Sequence, residues 1–364
     1  MKILSLGLDN SILDKTSALA ERTIEYGNLV EKYTVIVPSL KNEEIELSER
    51  VKVYSSGGGN KIEQFIKVYN LAKKLLKEGK YDVITVQDQY YLALIGVCLA
   101  KKFKVGLEIQ VHGFEKYYGL RKIIAGYVLP RANAARCVSQ RLKKQLIDQF
   151  GVKEKRITVV PIRTELRIMN NESRIKKDTG KFIFLTVGRL VKIKNISLQI
   201  AAMAEIVKDY SQAELWIVGD GPEYNNLKFK IENLKLGSRV KLLGQKDKEE
   251  LFEFYAQADS FILTSDSEGW GLAVIEAASY SLPIIMTDVG CAGEVIKNND
   301  SGIIIPVGNR QSLIQAMEAL LSDEVLRQRI SEGVKQVVMA LPSKQETLNL
   351  YLASWQKAVE KNKF

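Results

Sequence analysis

One histidine and three cysteines are all the imidazole and thiol metal ligands that 364 residues offer. His112 alone cannot build a metal cluster. Cys98, Cys137 and Cys291 are scattered, with no C-x-x-C pair, so neither a structural zinc site nor a disulfide framework is supported, and the set suits a reducing cytosol. No Asp-x-Asp motif is present either. The chain also lacks a membrane-length apolar run: its most apolar stretch, 90–100, is far short of the roughly 20 residues a spanning helix needs and reads as a buried helix. The opening apolar residues, 1–8, are too few for a signal peptide. A cytoplasmic protein is expected. Two phosphate signatures fail as well. Ser56-Gly-Gly-Gly-Asn-Lys61 has neither the spacing nor the Lys-Ser/Thr ending of a P-loop and reads as a plain turn, and Gly219-Asp-Gly-Pro-Glu223 lacks the third glycine of a dinucleotide fingerprint. No recognised nucleic-acid motif accompanies the basic residues, so nucleic acid is not an expected partner.

What is present is an ordinary globular composition, 46% hydrophobic and 26% charged, in a chain long enough for two domains. Apolar runs alternate with helical patterns. In the first half, strands fall near 2–8, 34–39, 81–87, 104–111, 134–139 and 157–161, with helices such as 13–30, 61–77 and 140–150 between them. A polar, patternless stretch follows. Strands then resume at 182–187, 214–219, 239–243, 260–264, 284–287 and 302–306, separated by helices near 196–208, 223–234, 248–256 and 271–280. Three more helical patterns, 310–322, 323–339 and 343–361, close the chain. Such alternation predicts α/β domains built on parallel sheets covered on both faces. The expected division is 1–165, a linker at 166–180, and 181–342.

The net charge of +10 is uneven. Residues 101–163 hold 15 basic and 4 acidic side chains, whereas 166–364 hold 25 of each. A charge run is often no more than a solvated face. Its other reading is a surface for anionic lipid or an acidic acceptor; Tyr117, Tyr118, Arg121 and Lys122 in a segment of amphipathic character make that second reading concrete.

The most informative stretch is 264–290, TSDSEGWGLAVIEAASYSLPIIMTDVG. A strand runs into a short acidic-glycine loop and then a helix starting near Gly271, whose first amides, around Trp270 to Ala273, have no intrahelical acceptor. That terminus suits a phosphate. Glu268 in the loop and Glu276 in the helix are placed to share one cleft, as acceptors for sugar or ribose hydroxyls. Upstream, Val187-Gly-Arg-Leu190 and Lys194-Asn195 end a strand and open a helix, where cations reach a diphosphate. Glu268-Gly-Trp-Gly-Leu272, Glu276-Ala277, Leu282-Pro283 and Thr287-Asp-Val-Gly290, with the Gly-Arg-Leu and Lys-Asn element, closely resemble the signature of retaining, nucleotide-sugar-dependent glycosyltransferases of family 4.

That resemblance implies the GT-B fold, two doubly wound Rossmann-like domains facing across a cleft. It implies a C-terminal domain that binds the donor, an N-terminal domain that takes the acceptor, and a last helix, 343–364, that returns to the first domain. Arg189 and Lys194 inherit the role of diphosphate ligands, where fixed cations stabilise the charge that builds on the leaving group. Glu268, Gly269, Trp270, Gly271 and Leu272 face the donor sugar and phosphates, Glu276 the ribose, and Gly219 and Gln245 the nucleobase. His112, at a strand end before Gly113, resembles the family's His-Gly element and would orient the donor sugar rather than act as a general base. Asp266-Ser-Glu268 only superficially resembles a metal site, so no metal and no cofactor beyond a UDP- or GDP-linked co-substrate are expected. The chain departs from many relatives after its first strand, with Gly7-Leu-Asp-Asn-Ser11 in place of a Gly-Gly pair. The implied acceptor is a glycan, a lipid-linked sugar or a small molecule, with peripheral contact at the inner face of an anionic membrane. Two other readings remain: a GT-B sugar-nucleotide epimerase, against which the shortage of histidine speaks, and a catalytically silent sugar-nucleotide-binding subunit, against which the intact Arg189, Lys194, Glu268 and Glu276 set speaks.

Overall fold

The computed structural model describes residues 1–114, 118–163 and 180–360. Most of the expected linker, together with Tyr117, lies outside the described residues. The chain divides into two compact units, Met1–Pro161 with Pro342–Phe364, and Ile162–Leu341.

In chain order the first unit contains β1 (Lys2–Leu6), α1 (Ala18–Asn28), β2 (Lys32–Val37), β3 (Asn42–Ser48), β4 (Val51–Ser56), α2 (Lys61–Glu78), β5 (Val83–Val86), α3 (Tyr91–Phe103), β6 (Gly106–Val111), α4 (Leu120–Val128), β7 (Ala134–Cys137), α5 (Gln140–Phe150) and β8 (Ile157–Val159). The second contains β9 (Phe182–Val187), α6 (Ile196–Asp209), β10 (Ala213–Val218), α7 (Tyr224–Asn233), β11 (Val240–Leu242), α8 (Lys248–Gln257), β12 (Ser260–Leu263), α9 (Leu272–Ser279), β13 (Ile284–Thr287), β14 (Ile303–Ile305), α10 (Arg310–Ser322) and α11 (Glu324–Met339); α12 (Lys344–Glu360) rejoins the first.

The first sheet runs β3-β4-β2-β1-β5-β6-β7-β8 and is parallel except at β3, which pairs antiparallel with β4. That hairpin adds an antiparallel edge, outside the expected strands, to an otherwise parallel sheet. Asn42–Ser48 reads as polar because it is an edge strand open to water, held by cross-strand pairs of Lys52 with Glu44 and Glu46 at 3.5 and 3.4 Å. The first helix is also shorter than its apolar pattern: Ser17 caps it by accepting from the Ala20 amide at 3.1 Å, while Asn10–Leu13 forms a separate 3-10 turn capped by Asp9.

α12 is anchored on this sheet by one buried carboxylate. Glu108 of β6 accepts from Thr85, Ser354 and, at 3.2 Å, the Trp355 indole, and it lies 3.8 Å from the Arg136 guanidinium. Arg136 in turn stacks 3.8 Å over the Tyr351 ring. Trp355 is fully buried between Tyr26 and Tyr33; hiding a side chain of 150–250 Å² contributes about 4–6 kcal/mol of gross transfer free energy.

The second sheet runs β11-β10-β9-β12-β13-β14, all parallel. The chain leaves β9 to one side for β10 and β11, then returns to its other side at β12. This reversal opens a crevice at the carboxyl ends of β9 and β12, where a doubly wound sheet takes its ligand.

Candidate functional site

Loops after β9, β10, β11, β12 and β13 meet at that edge and are stitched by backbone. Leu190, buried after β9, donates to the Asp220 carbonyl and accepts from the Glu223 amide, both at 2.9 Å. Gly219 sits at φ +136, and a Cβ there would lie 1.9 Å from the Gly188 carbonyl, so only glycine fits. Its amide donates to Gly244 at 2.8 Å, which brings the exposed Gln245 beside the same edge.

The β9 and β12 loops are joined just as closely. The Asp266 amide donates to the Ile193 carbonyl at 2.8 Å, the Asn195 side chain donates to the Asp266 carboxylate at 3.0 Å, and the Thr264 hydroxyl donates to the Asn195 carbonyl at 3.0 Å. These bonds bring two side chains 74 residues apart into a direct ion pair: the Lys194 ammonium contacts Glu268 Oε1, which also accepts from the Ser265 hydroxyl at 2.8 Å. The pair is partly open, 25% and 12% exposed. Arg189 is exposed, and its guanidinium has no partner among the described residues.

Behind Glu268, Trp270 is buried and its carbonyl accepts from the Cys291 amide at 2.9 Å. Gly290 makes room for it: a Cβ there would stand 2.5 Å from the Trp270 carbonyl and 3.0 Å from the Glu268 Cβ. Gly269 lies between the two, half-buried. Gly271 is the left-handed N-cap of α9, with no side-chain cap, and the amides of Leu272 and Ala273 have no acceptor among the described residues. Glu276, a turn further, accepts from the Tyr255 hydroxyl at 3.0 Å. Burial first, and the Glu276 charge second, push the Tyr255 hydroxyl well above its ordinary pKa, so it remains a donor.

The second unit thus gathers Arg189, Lys194, Gly219, Gln245 and Glu268 to Leu272 on one edge. Glu268 and Glu276 belong to separate hydrogen-bond sets, one with Lys194 and Ser265, the other with Tyr255. The Asp266 and Glu268 carboxylates are taken up by Asn195, Lys194 and Ser265, and among the described residues no group of three His, Cys, Asp or Glu side chains is placed to hold a metal. His112 belongs to the first unit, just past the end of β6 and before Gly113, whose carbonyl accepts from the Gln89 side chain. The residue is exposed to water, and the protein around it first, then the nearby Arg136 and Arg22 charges, lower its imidazole to about 4. It is neutral at pH 7, able to donate or accept one hydrogen bond. Ser265 and Tyr255 were not visible as site residues in the sequence. Ser265 lies three residues before Glu268, a local signal; a tyrosine inside a helix such as α8 carries none.

The family profile for glycosyl transferases group 1 matches residues 168–337, and that for glycosyltransferase family 4 matches residues 16–162. The two profiles fall one on each unit and together mark the chain as a glycosyltransferase. An uncharacterized glycosyltransferase of Methanocaldococcus jannaschii is 26% identical over 76% of the chain and 75% of its own length. The UDP-Gal:alpha-D-GlcNAc-diphosphoundecaprenol alpha-1,3-galactosyltransferase of Escherichia coli is 29% identical over 70% of each. Among solved structures, sucrose-phosphate synthase from Thermosynechococcus elongatus superposes on this glycosyltransferase with a TM-score of 0.79 at 18% identity, covering 98% of both chains. The fold is GT-B.

Proposed function

We propose that this glycosyltransferase moves a sugar from a nucleoside diphosphate sugar, UDP- or GDP-linked, to a glycan or lipid-linked acceptor, with retention of configuration and without a metal. The observation that carries the reading is the meeting of Lys194 and Glu268 at the point where the second sheet reverses. A diphosphate arriving there competes with Glu268 for the Lys194 ammonium, and finds the unpartnered Arg189 and the uncapped start of α9. Negative charge that develops on the departing diphosphate is then stabilised by groups already in place. Glu268, released from Lys194 but still held by Ser265, is free to accept from a sugar hydroxyl. Glu276, fixed by Tyr255, accepts from the ribose.

Neutral His112 serves as a hydrogen-bonding group for the sugar, and the leaving phosphate takes the acceptor's proton on the same face. A diphosphate-linked lipid acceptor is named for the Escherichia coli relative, and the basic excess of 101–163 suits an acidic acceptor and peripheral contact with an anionic membrane. The test is a thermal-shift screen against UDP-, GDP-, ADP- and dTDP-sugars with and without EDTA. A selective shift that survives EDTA is expected, worth about 2.7 kcal/mol at 100 times the dissociation constant, and it should shrink in Glu276→Ala. No shift with any nucleotide sugar, beside working controls, would overturn the donor assignment.

A further inference from the structure

Lys194 carries its charge on a long, flexible stem, so the ammonium is only as well placed as the backbone beneath it. That backbone turns sharply. Lys194 ends a 3-10 turn, Lys192–Lys194, and Asn195 after it is left-handed, at φ 47 and ψ 40, where α6 begins. Such a conformation strains a residue with a side chain and persists only where its surroundings hold it. Here the hold comes from the core. The Thr264 hydroxyl, just past the end of β12, donates to the Asn195 carbonyl at 3.0 Å and is shared with the Lys194 carbonyl at 3.2 Å.

Thr264 is itself held. Gln199, one turn into α6, donates from Nε2 to the Thr264 hydroxyl at 2.9 Å and to the Thr186 hydroxyl of β9 at 3.3 Å. All three side chains are buried. Gln199 Oε1 is buried too, with no hydrogen-bond partner among the described residues. A buried acceptor without a bond destabilises the fold. A leucine would fill the same space without that orphaned oxygen, so the amide is explained by the two bonds it donates and not by its volume.

The next residue holds the other half of the ion pair. The Ser265 hydroxyl donates to Glu268 at 2.8 Å, and the Ser265 carbonyl accepts from Thr287 at 2.7 Å. Two consecutive residues thus fix both partners, Thr264 through the Lys194 backbone and Ser265 through the Glu268 carboxylate. A diphosphate that draws the ammonium away from Glu268 removes the one ion pair Lys194 makes among the described residues. The stem is then placed by its backbone alone.

We propose that Thr264, backed by Gln199, is a positioning residue for Lys194: its hydroxyl fixes the left-handed turn, so that the ammonium stays in place for a diphosphate once Glu268 has let go. The inference rests on the reading of Lys194 as a diphosphate ligand, and adds to it two residues that touch no ligand themselves.

The test is calorimetric titration of UDP and GDP into the full chain, in a double-mutant cycle with Lys194→Ala. Thr264→Val, which keeps the shape and removes the hydroxyl, should weaken binding of the preferred nucleotide about fivefold, the worth of one hydrogen bond. Thr264→Ser should recover most of that loss. Beside Lys194→Ala, Thr264→Val should cost nothing further, because the hydroxyl acts only through that cation. Gln199→Met leaves the hydroxyl free to turn and should weaken binding about two- to threefold. Equal affinity in the wild type and Thr264→Val would overturn the proposal, and so would a loss that Thr264→Ser does not recover or that persists in full beside Lys194→Ala, since either marks a merely structural role. Should Thr264→Val not fold, unchanged affinity in Gln199→Met overturns it. A wild type that binds neither nucleotide fails at the donor reading instead, and takes the proposal with it.

Discussion

Each unit ties a cation–glutamate pair to its sheet, Arg136 with Glu108 on β7 and β6 and Lys194 with Glu268 past the ends of β9 and β12, and the two are built differently. In the first, Glu108 is fully buried and its oxygens are taken by Thr85, Ser354 and Trp355, with Arg136 beside it. Arg136 Nη1 has no hydrogen-bond partner among the described residues, and the Tyr351 ring covers the guanidinium face instead. In the second, Lys194 and Glu268 are partly open and stand beside an exposed Arg189 and two amides without acceptors. A closed pair ties α12 to the sheet. An open one keeps binding capacity in reserve, which a ligand can use.

The comparison breaks most readily at the closed pair. Arg136→Ala leaves Glu108 buried and uncompensated, and should cost about 3–5 kcal/mol of stability by denaturant titration. Lys194→Ala should leave the denaturation midpoint near that of the wild type, and equal losses in the two variants would erase the distinction. Its expected effect is on turnover, about 3 kcal/mol or roughly a hundredfold, the scale of one lost transition-state contact. Arg189→Ala should behave in the same way.

Tyr255→Phe sharpens the picture further. It removes the hydroxyl that fixes Glu276 and should weaken donor binding by about 1 kcal/mol, roughly fivefold, with kcat unchanged. If the tyrosine acts through the ribose, a donor lacking the ribose hydroxyls should show no such penalty.

The smallest effect belongs to His112, which is exposed, so that solvent screens most of what its lowered pKa would contribute. Its folded pKa is about 4 against 6.5 for the ordinary group, so the unfolded chain takes up the proton first as pH falls. Any stability linked to it is complete above about pH 6.5 and is lost as pH drops toward about 4. His112→Asn should flatten that part of the stability curve. Activity of the wild type should show no inflection near pH 6.5 from this residue.

The second sheet was readable because its strands are continuous apolar runs and its site lies at their ends, within a few residues of Gly188, Gly219 and Glu268. The hairpin of β3 and β4 was not, since a charged edge strand lacks the apolar run that announces a buried one. The start of α1 was misplaced because the apolar pattern extends across Leu13, and only the Ser17 cap reveals the break. That Lys194 finds Glu268 follows from the order β9-β12, a pairing of non-consecutive strands that no local pattern contains. The role of Tyr255 was hidden for the same reason: its partner lies 21 residues away on α9.

The central claim is that the diphosphate is held by the open pair of the second unit. Calorimetric titration of UDP and GDP into the wild type, Lys194→Ala and His112→Ala tests it most directly. The account predicts binding of one nucleotide by the wild type, at least tenfold weaker binding by Lys194→Ala, and unchanged binding by His112→Ala, whose side chain serves the sugar. Equal affinity in the wild type and Lys194→Ala, or loss of nucleotide binding in His112→Ala, would contradict it.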